Sequence, residues 1–266
     1  MLYLSSLLQT TPIYQAAADR LSAALASQQI PYRFLTGTKD IWLRDFMPVQ
    51  NRDGTFVSFR YDPGYLQDTP ELKTDYEKDI APQLSLSATY SSINLDGGNV
   101  VFSPSRERVV ISDRVLRENP AYAPGELVKA LEEQLMAQVI LIPSLPSDMT
   151  GHADGMVRFV DENTVVGNRV PYQYGLEGRI KRVLRTYHIQ VVDFPYFYSP
   201  KDSAVGCYLN FLETDTCIFL PVFGVAMDEE AVAQAQDIFS KPVVPVCINE
   251  IAAQGGVLNC ISWEMP

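Results

Sequence analysis

Five polar landmarks return along this chain at nearly even intervals: Asp45, Asp96, His152, Tyr208 and Cys260 stand 51, 56, 56 and 52 residues apart. Each lies in a short segment rich in chemically capable side chains. These segments are Trp42-Leu43-Arg44-Asp45, Asp96-Gly97-Gly98-Asn99, Gly151-His152-Ala153-Asp154, Gly206-Cys207-Tyr208-Leu209-Asn210 and Gly255-Gly256-Val257-Leu258-Asn259-Cys260. Each follows a β-prone run: Tyr32 to Leu35, Thr89 to Leu95, Val139 to Ile142, His188 to Val192 and Val243 to Ile248. A recurring block of this length is the sequence signature of a repeat architecture. If five such units close around an axis, equivalent strand ends converge on one opening, and residues fifty or more positions apart meet there. Helix–strand alternation by itself is common to all α/β proteins; the regular return of unusual polar segments is what adds information.

Ahead of each strand the apolar spacing predicts a helix. The first spans about Tyr14 to Gln29, with Ala17, Leu21 and Leu25 on one face. The second, Glu71 to Leu84, is charged, contains Pro82 and is the weakest of the five. The third opens near Pro124, where a missing N–H is harmless, and carries Leu127, Leu131 and Leu135. The fourth places Ile180, Val183, Leu184 and Tyr187 on one side, with Arg179, Lys181, Arg182 and Arg185 around the rest. The fifth begins at Asp228-Glu229-Glu230, as the helix dipole favours, and is expected to bury Val232, Ala235 and Phe239.

Composition narrows the function classes. The 266 residues can bury a large core, and 47% hydrophobic with 20% charged residues excludes wholesale disorder. No apolar run approaches the roughly 18 residues of a membrane span, and the N-terminus has no basic, apolar and small-residue leader pattern. A net charge of −11 argues against nucleic acid and favours a cationic ligand such as a guanidinium or an amine. The four cysteines at 207, 217, 247 and 260 form no CxxC pair, which excludes a zinc ribbon or a thioredoxin-type site and suggests a reducing, cytoplasmic setting.

Only two histidines exist, so imidazole chemistry has two candidates. His188 opens an apolar strand and reads as structural. His152 lies between glycines and two residues from Asp154; in an extended segment both would project to one face, as a reactive pair or as a buried capping pair. Cys217 and Cys247 sit in apolar strands as small hydrophobes, and Cys207 is undecided. Cys260 follows paired glycines, which mark a tight backbone or a close approach, and is the best nucleophile candidate. The chain has no G-x-S-x-G elbow, P-loop, H-E-x-x-H or G-x-G-x-x-G, and two histidines are too few for an ordinary metal site. No metal and no organic cofactor is expected.

Trp-x-Arg-Asp, a carboxylate before Gly-Gly, Gly-His-x-Asp and a terminal Gly-Gly-x-x-x-Cys, in this order, resemble agmatine deiminases and bacterial peptidyl-arginine deiminase-like proteins. The resemblance runs from about Trp42 to Ile261 and includes Met156-Val157-Arg158-Phe159-Val160-Asp161 and Leu220-Pro221-Val222-Phe223-Gly224. It implies the pentein fold, a fivefold pseudosymmetric α/β propeller of ββαβ-type repeats, as a single domain over residues 1–266. It also implies a deiminase converting a guanidino compound, agmatine or a related arginine derivative, to its ureido product and ammonia. Carried over by position, the nucleophile is Cys260, the acid–base histidine His152, the guanidinium-holding carboxylates Asp45 and Asp154, and the histidine-orienting carboxylate Asp96. Trp42 and Arg44 complete the substrate-binding set. Two departures stand out: Asp96 occupies a position usually held by glutamate, and Phe46-Met47 replace a small Thr-Gly pair. An amidinotransferase on the same Cys-His-Asp core and a non-catalytic binding module are the alternatives. The implied partner is a small cationic guanidino substrate, with no nucleic acid and no membrane; homo-oligomer formation is left open.

Overall fold

Among the described residues, fifteen strands form five three-stranded sheets, one for each predicted repeat. The computed structural model describes residues 1–144, 149–169, 175–198 and 203–265. In chain order, the first block holds β1 (Leu2–Ser5), α1 (Leu7–Thr10), α2 (Pro12–Ser27), β2 (Tyr32–Leu35) and α3 (Leu43–Phe46). The second holds β3 (Val49–Gln50), β4 (Phe56–Arg60) and β5 (Ala88–Asn94). The third holds β6 (Val101–Phe102), β7 (Arg108–Ser112), α4 (Arg114–Glu118), α5 (Pro124–Leu135) and β8 (Gln138–Ile142). The fourth holds β9 (Val157–Asp161), β10 (Thr164–Asn168), α6 (Leu176–Thr186) and β11 (Gln190–Phe194). The last holds β12 (Leu212–Glu213), β13 (Ile218–Val222), α7 (Met227–Ile238), β14 (Val243–Cys247), α8 (Asn249–Ala252) and β15 (Ser262–Glu264).

The sheets share one topology. β4, β7 and β13 each pair antiparallel with the strand before them and parallel with the strand after the crossover. β10 likewise lies between β9 and β11. In the remaining sheet β1 pairs parallel with β2, and the antiparallel partner is β15 from the far end of the chain. The repeat is therefore ββαβ, with its first and last strands exchanged across the termini.

The chain divides into two compact units: Met1–Arg44 together with the segment from Phe194 onward, and Asp45–Asp193. In the Asp45–Asp193 unit the core shows why the strands read as continuous apolar runs. Val109 and Ile111 of β7 join one buried cluster with Leu127, Leu131 and Leu135, while Val110 points into another with Ile140, Ile142, Ile180 and Leu184. A strand covered on both faces has no polar face to alternate with.

Three helices stop in a way no glycine announces. Gln29, Met136 and His188 adopt left-handed backbone with φ of 55°, 54° and 58°. The next residue then reaches back over the last turn: Ile30 N–H to Leu25 C=O at 3.0 Å, Ala137 to Glu132 at 3.3 Å, and Ile189 to Leu184 at 3.0 Å. This closure satisfies orphan carbonyls and turns the chain into the strand that follows. His188 thus ends α6 rather than opening a strand, and it is exposed.

Two further expectations change. The predicted helix over Glu71 to Leu84 is a series of short turns, Pro70–Leu72, Tyr76–Ile80 and Ala81–Gln83, the middle one with π-type bonding. Pro70 and Pro82 deny a continuous N–H ladder, and the Asp75 carboxylate accepts from Lys78 N–H at 3.2 Å instead. On α7 the fully buried stripe is Ala231 and Ala235, continued by Phe239 just past its end, and Val232 is only half-buried. No helix among the described residues is long and apolar enough to cross a membrane.

Candidate active site

The segments after β5 and β8 have the same local build. Asp96 (φ −75°, ψ 138°) immediately precedes the 3-10 turn Gly97–Asn99, and His152 (φ −75°, ψ 143°) precedes the turn Ala153–Gly155. They are equivalent positions of adjacent repeats. The Asn99 side-chain oxygen accepts from Ser112 N–H at 2.8 Å and Ala153 N–H at 3.2 Å, which ties one turn to the other.

This arrangement brings four of the expected residues together in the Asp45–Asp193 unit. The Nε2 of His152 lies 2.9 Å from Asp96 Oδ2, and its Nδ1 lies 3.5 Å from Asp45 Oδ1. Asp45 Oδ1 also accepts the Gly98 N–H at 3.1 Å. A Cβ added to Gly98 would stand 2.6 Å from Asp45 Oδ1, 2.7 Å from His152 Nδ1 and 3.4 Å from Asp154 Oδ2. Only a glycine leaves room for the three groups to converge. Asp154 joins them from within the 3-10 turn, not from an extended strand, so strand alternation is not what pairs it with His152.

All four residues are buried. Burial alone would push the His152 imidazole down, but Asp45, then Asp96 and Asp154, outweigh it and hold the group up at about 10. For Asp45 burial dominates and raises the carboxyl to about 7, against the opposing pull of His152. Burial, and then the Asp96 charge, raise the nearby Glu118, whose carboxylate accepts from Arg114 Nε at 2.7 Å. The centre is an imidazolium flanked by carboxylates, an environment that can bind a small cation and handle a proton.

Trp42, Arg44 and Cys260 belong to the other unit. There the Cys260 N–H and Sγ both lie 3.2 Å from Asn210 Oδ1, so one amide oxygen seats both the backbone and the thiol. Arg44 holds the same segment: its N–H donates to Cys260 C=O at 3.0 Å and its Nε to Asn259 C=O at 3.3 Å. The paired glycines have separate reasons. Gly255 takes a φ of 104°, and Gly256 lies so close to the Trp42 ring that a Cβ would fall 2.4 Å from Cζ3. None of the four cysteines is in a disulfide. Tyr208 is structural, since its buried hydroxyl donates to Asp228 at 2.7 Å.

Asn210, Asn99 and Tyr65 were not singled out by sequence reasoning. Asn210 had a signal: it stands 56 residues after Asp154, which stands 56 after Gly98. Tyr65, whose hydroxyl lies 3.5 Å from Asp96 Oδ2, had none. Among the described residues no cluster of three or more histidine, cysteine or acidic side chains is arranged to hold a metal ion.

Five three-stranded sheets of one strand topology, with a helical crossover in four and short turns in the second, define a pentein-fold protein, and solved structures agree. An agmatine deiminase of Enterococcus faecalis superposes with a TM-score of 0.78 at 17% identity, over 100% of this chain and 92% of that one. A protein entitled DDAH from Pseudomonas aeruginosa superposes with a TM-score of 0.62 at 11% identity, over 98% and 97%. Likenesses at these identities speak for the fold. The family model of Porphyromonas-type peptidyl-arginine deiminases matches residues 4–266, and the chain belongs to that family. A Lactococcus lactis protein carrying the provisional name agmatine deiminase is 22% identical over 209 residues, 66% of this chain and 56% of that protein. This chain thus spans little more than half the length of that relative.

Proposed function

We propose that this protein is a guanidine deiminase, hydrolysing a C–N bond of agmatine or a related arginine derivative to give the ureido product and ammonia. The observation that carries the reading is the convergence of Asp45, His152 and Asp154 on the side-chain-free face of Gly98, with Asp96 behind the imidazole. A guanidinium presents N–H donors in a planar fork that two carboxylates can grip from different sides. Fixing it in that way supplies much of the positioning the reaction needs.

The chemistry assigned to the chain's residues balances as follows. The thiolate of Cys260 attacks the guanidinium carbon, and a C–S bond forms. His152 as imidazolium, held by Asp96, gives its proton to a terminal nitrogen, which leaves as ammonia. The covalent amidino-thioether that remains is attacked by water, whose proton returns to the now neutral His152. Collapse expels the thiolate and releases the ureido product. Asp45 and Asp154 hold the substrate's nitrogens throughout, and Trp42 and Arg44 belong to the substrate-binding set. The reading makes the five repeats a single catalytic domain, with Cys260 and His152 partners in one reaction. A cytoplasmic location, where thiols stay reduced, is part of the proposal.

The test is a panel of guanidino compounds, agmatine first, assayed for ammonia and ureido product with no amine added. Turnover that disappears in Cys260→Ser, together with a mass increase on the trapped wild-type protein, supports the covalent route. Absence of ammonia from every compound would overturn it.

A further inference from the structure

Asp96 is held at a single point by the imidazole, and a single point leaves a carboxylate free to swing. Its Oδ2 accepts from His152 at 2.9 Å, while its Oδ1 is buried without a hydrogen-bond partner among the described residues. The other donor to Oδ2 is the Tyr65 hydroxyl, at 3.5 Å. Tyr65 lies in the 3-10 turn Gly64–Leu66 and is fixed from two sides. Its hydroxyl pairs with that of Tyr61 at 3.4 Å, and the Arg114 guanidinium stands 5.8 Å from its ring centroid. Tyr61 in turn meets Phe46 edge-on, with ring centroids 5.9 Å apart. Phe46 follows Asp45 directly in the chain. An aromatic brace therefore starts beside the carboxylate at Nδ1 and ends on the carboxylate at Nε2.

We propose that Tyr65 is a positioning residue: its hydroxyl, backed by Tyr61, fixes the Asp96 carboxylate on Nε2 of His152. The role rests on the deiminase reading, in which that nitrogen's partner sets how the imidazole is aimed. Tyr65 approaches the same oxygen as the imidazole from a different side, so that Oδ2 is kept on Nε2 by two donors rather than one. Phe46 and Asp96 are the two ends of this brace.

The experiment uses the full chain with nitrogen-labelled histidine. With His152 and the exposed His188 as the only two histidines, each ring gives an assignable set of signals. Tyr65→Phe is expected to move the His152 ring signals and leave those of His188 in place. It should lower kcat for agmatine about tenfold with KM within about twofold. Tyr61→Phe should act in the same direction and less, and it serves as the second variant if Tyr65→Phe folds poorly. In an Asp96→Asn background, Tyr65→Phe should produce no further change in the His152 signals, because the contact it removes is already altered. Unchanged His152 signals and kcat in Tyr65→Phe, or the same signal change with and without the Asp96 carboxylate, would overturn the role. If the wild-type protein turns over no guanidino compound, the deiminase reading fails; the ring signals still decide the Tyr65–Asp96–His152 linkage separately.

Discussion

Asp45 Oδ1 sits 3.5 Å from the Nδ1 of His152 while accepting the Gly98 N–H, so the same oxygen serves the imidazole and the backbone of the neighbouring repeat. Among the groups that raise His152 above its ordinary value, Asp45 contributes most. Asp45→Asn removes that charge and keeps the shape. The expected result is a His152 that titrates well below about 10, followed by its ring signals. In the proposed reaction the same change removes one grip on the guanidinium, so kcat/KM for agmatine should fall at least about a hundredfold.

Gly98→Ala tests the convergence itself. The added methyl would meet Asp45 Oδ1 at 2.6 Å and His152 Nδ1 at 2.7 Å, both held by short buried contacts. Neither can retreat without breaking a hydrogen bond. Overpacking of this kind costs about 1–3 kcal/mol, and turnover should drop below detection. Gly125→Ala is the control: it lies in the first turn of α5 with no atom within 4 Å of an added Cβ. That variant should be as active as wild type and more stable by up to about 1 kcal/mol, measured by urea unfolding.

Asn210→Ala addresses the thiol. Losing the amide oxygen leaves the Cys260 N–H and Sγ without the acceptor they share at 3.2 Å. The fold should survive, since Arg44 still binds the Cys260 carbonyl. Alkylation of Cys260 by iodoacetamide should change in rate and kcat should fall about tenfold, while Cys217, buried just ahead of β13, stays unreactive. An unchanged alkylation rate and kcat would show that Asn210 does not set the sulfur's position.

The parts of the site that the sequence exposed are those repeated at a fixed interval. Asp96 and His152 share dihedrals because they share a place in the repeat, and the 56-residue step between them is visible without coordinates. Tyr65 escaped because it belongs to the second repeat's irregular crossover, where Pro70 and Pro82 replace a helix with turns and the apolar period is lost. His188 was misplaced for a different reason. The left-handed helix ends at Gln29, Met136 and His188 use no glycine, so the stop signal had no letter to carry it. On α7, Ala231 and Val232 fit an apolar stripe about equally, and packing against the sheet chose the smaller residue.

The buried cluster also predicts how stability follows pH. His152 titrates at about 10 in the folded protein against an ordinary 6.5, so the folded state binds its proton more tightly than the unfolded chain does. Its contribution is fully present below about 6.5 and is lost as pH rises toward 10. Asp45 is raised too, to about 7 from 3.8, so its protonated form favours folding at low pH and that contribution has gone by about pH 7. Between pH 7 and 10 the remaining loss belongs to the imidazole. The stability gap between wild type and His152→Gln, read from urea midpoints, should therefore be large at pH 7 and shrink steadily by pH 10. A gap that stayed constant across this window would mean that the imidazole is not held as a cation between Asp45 and Asp96.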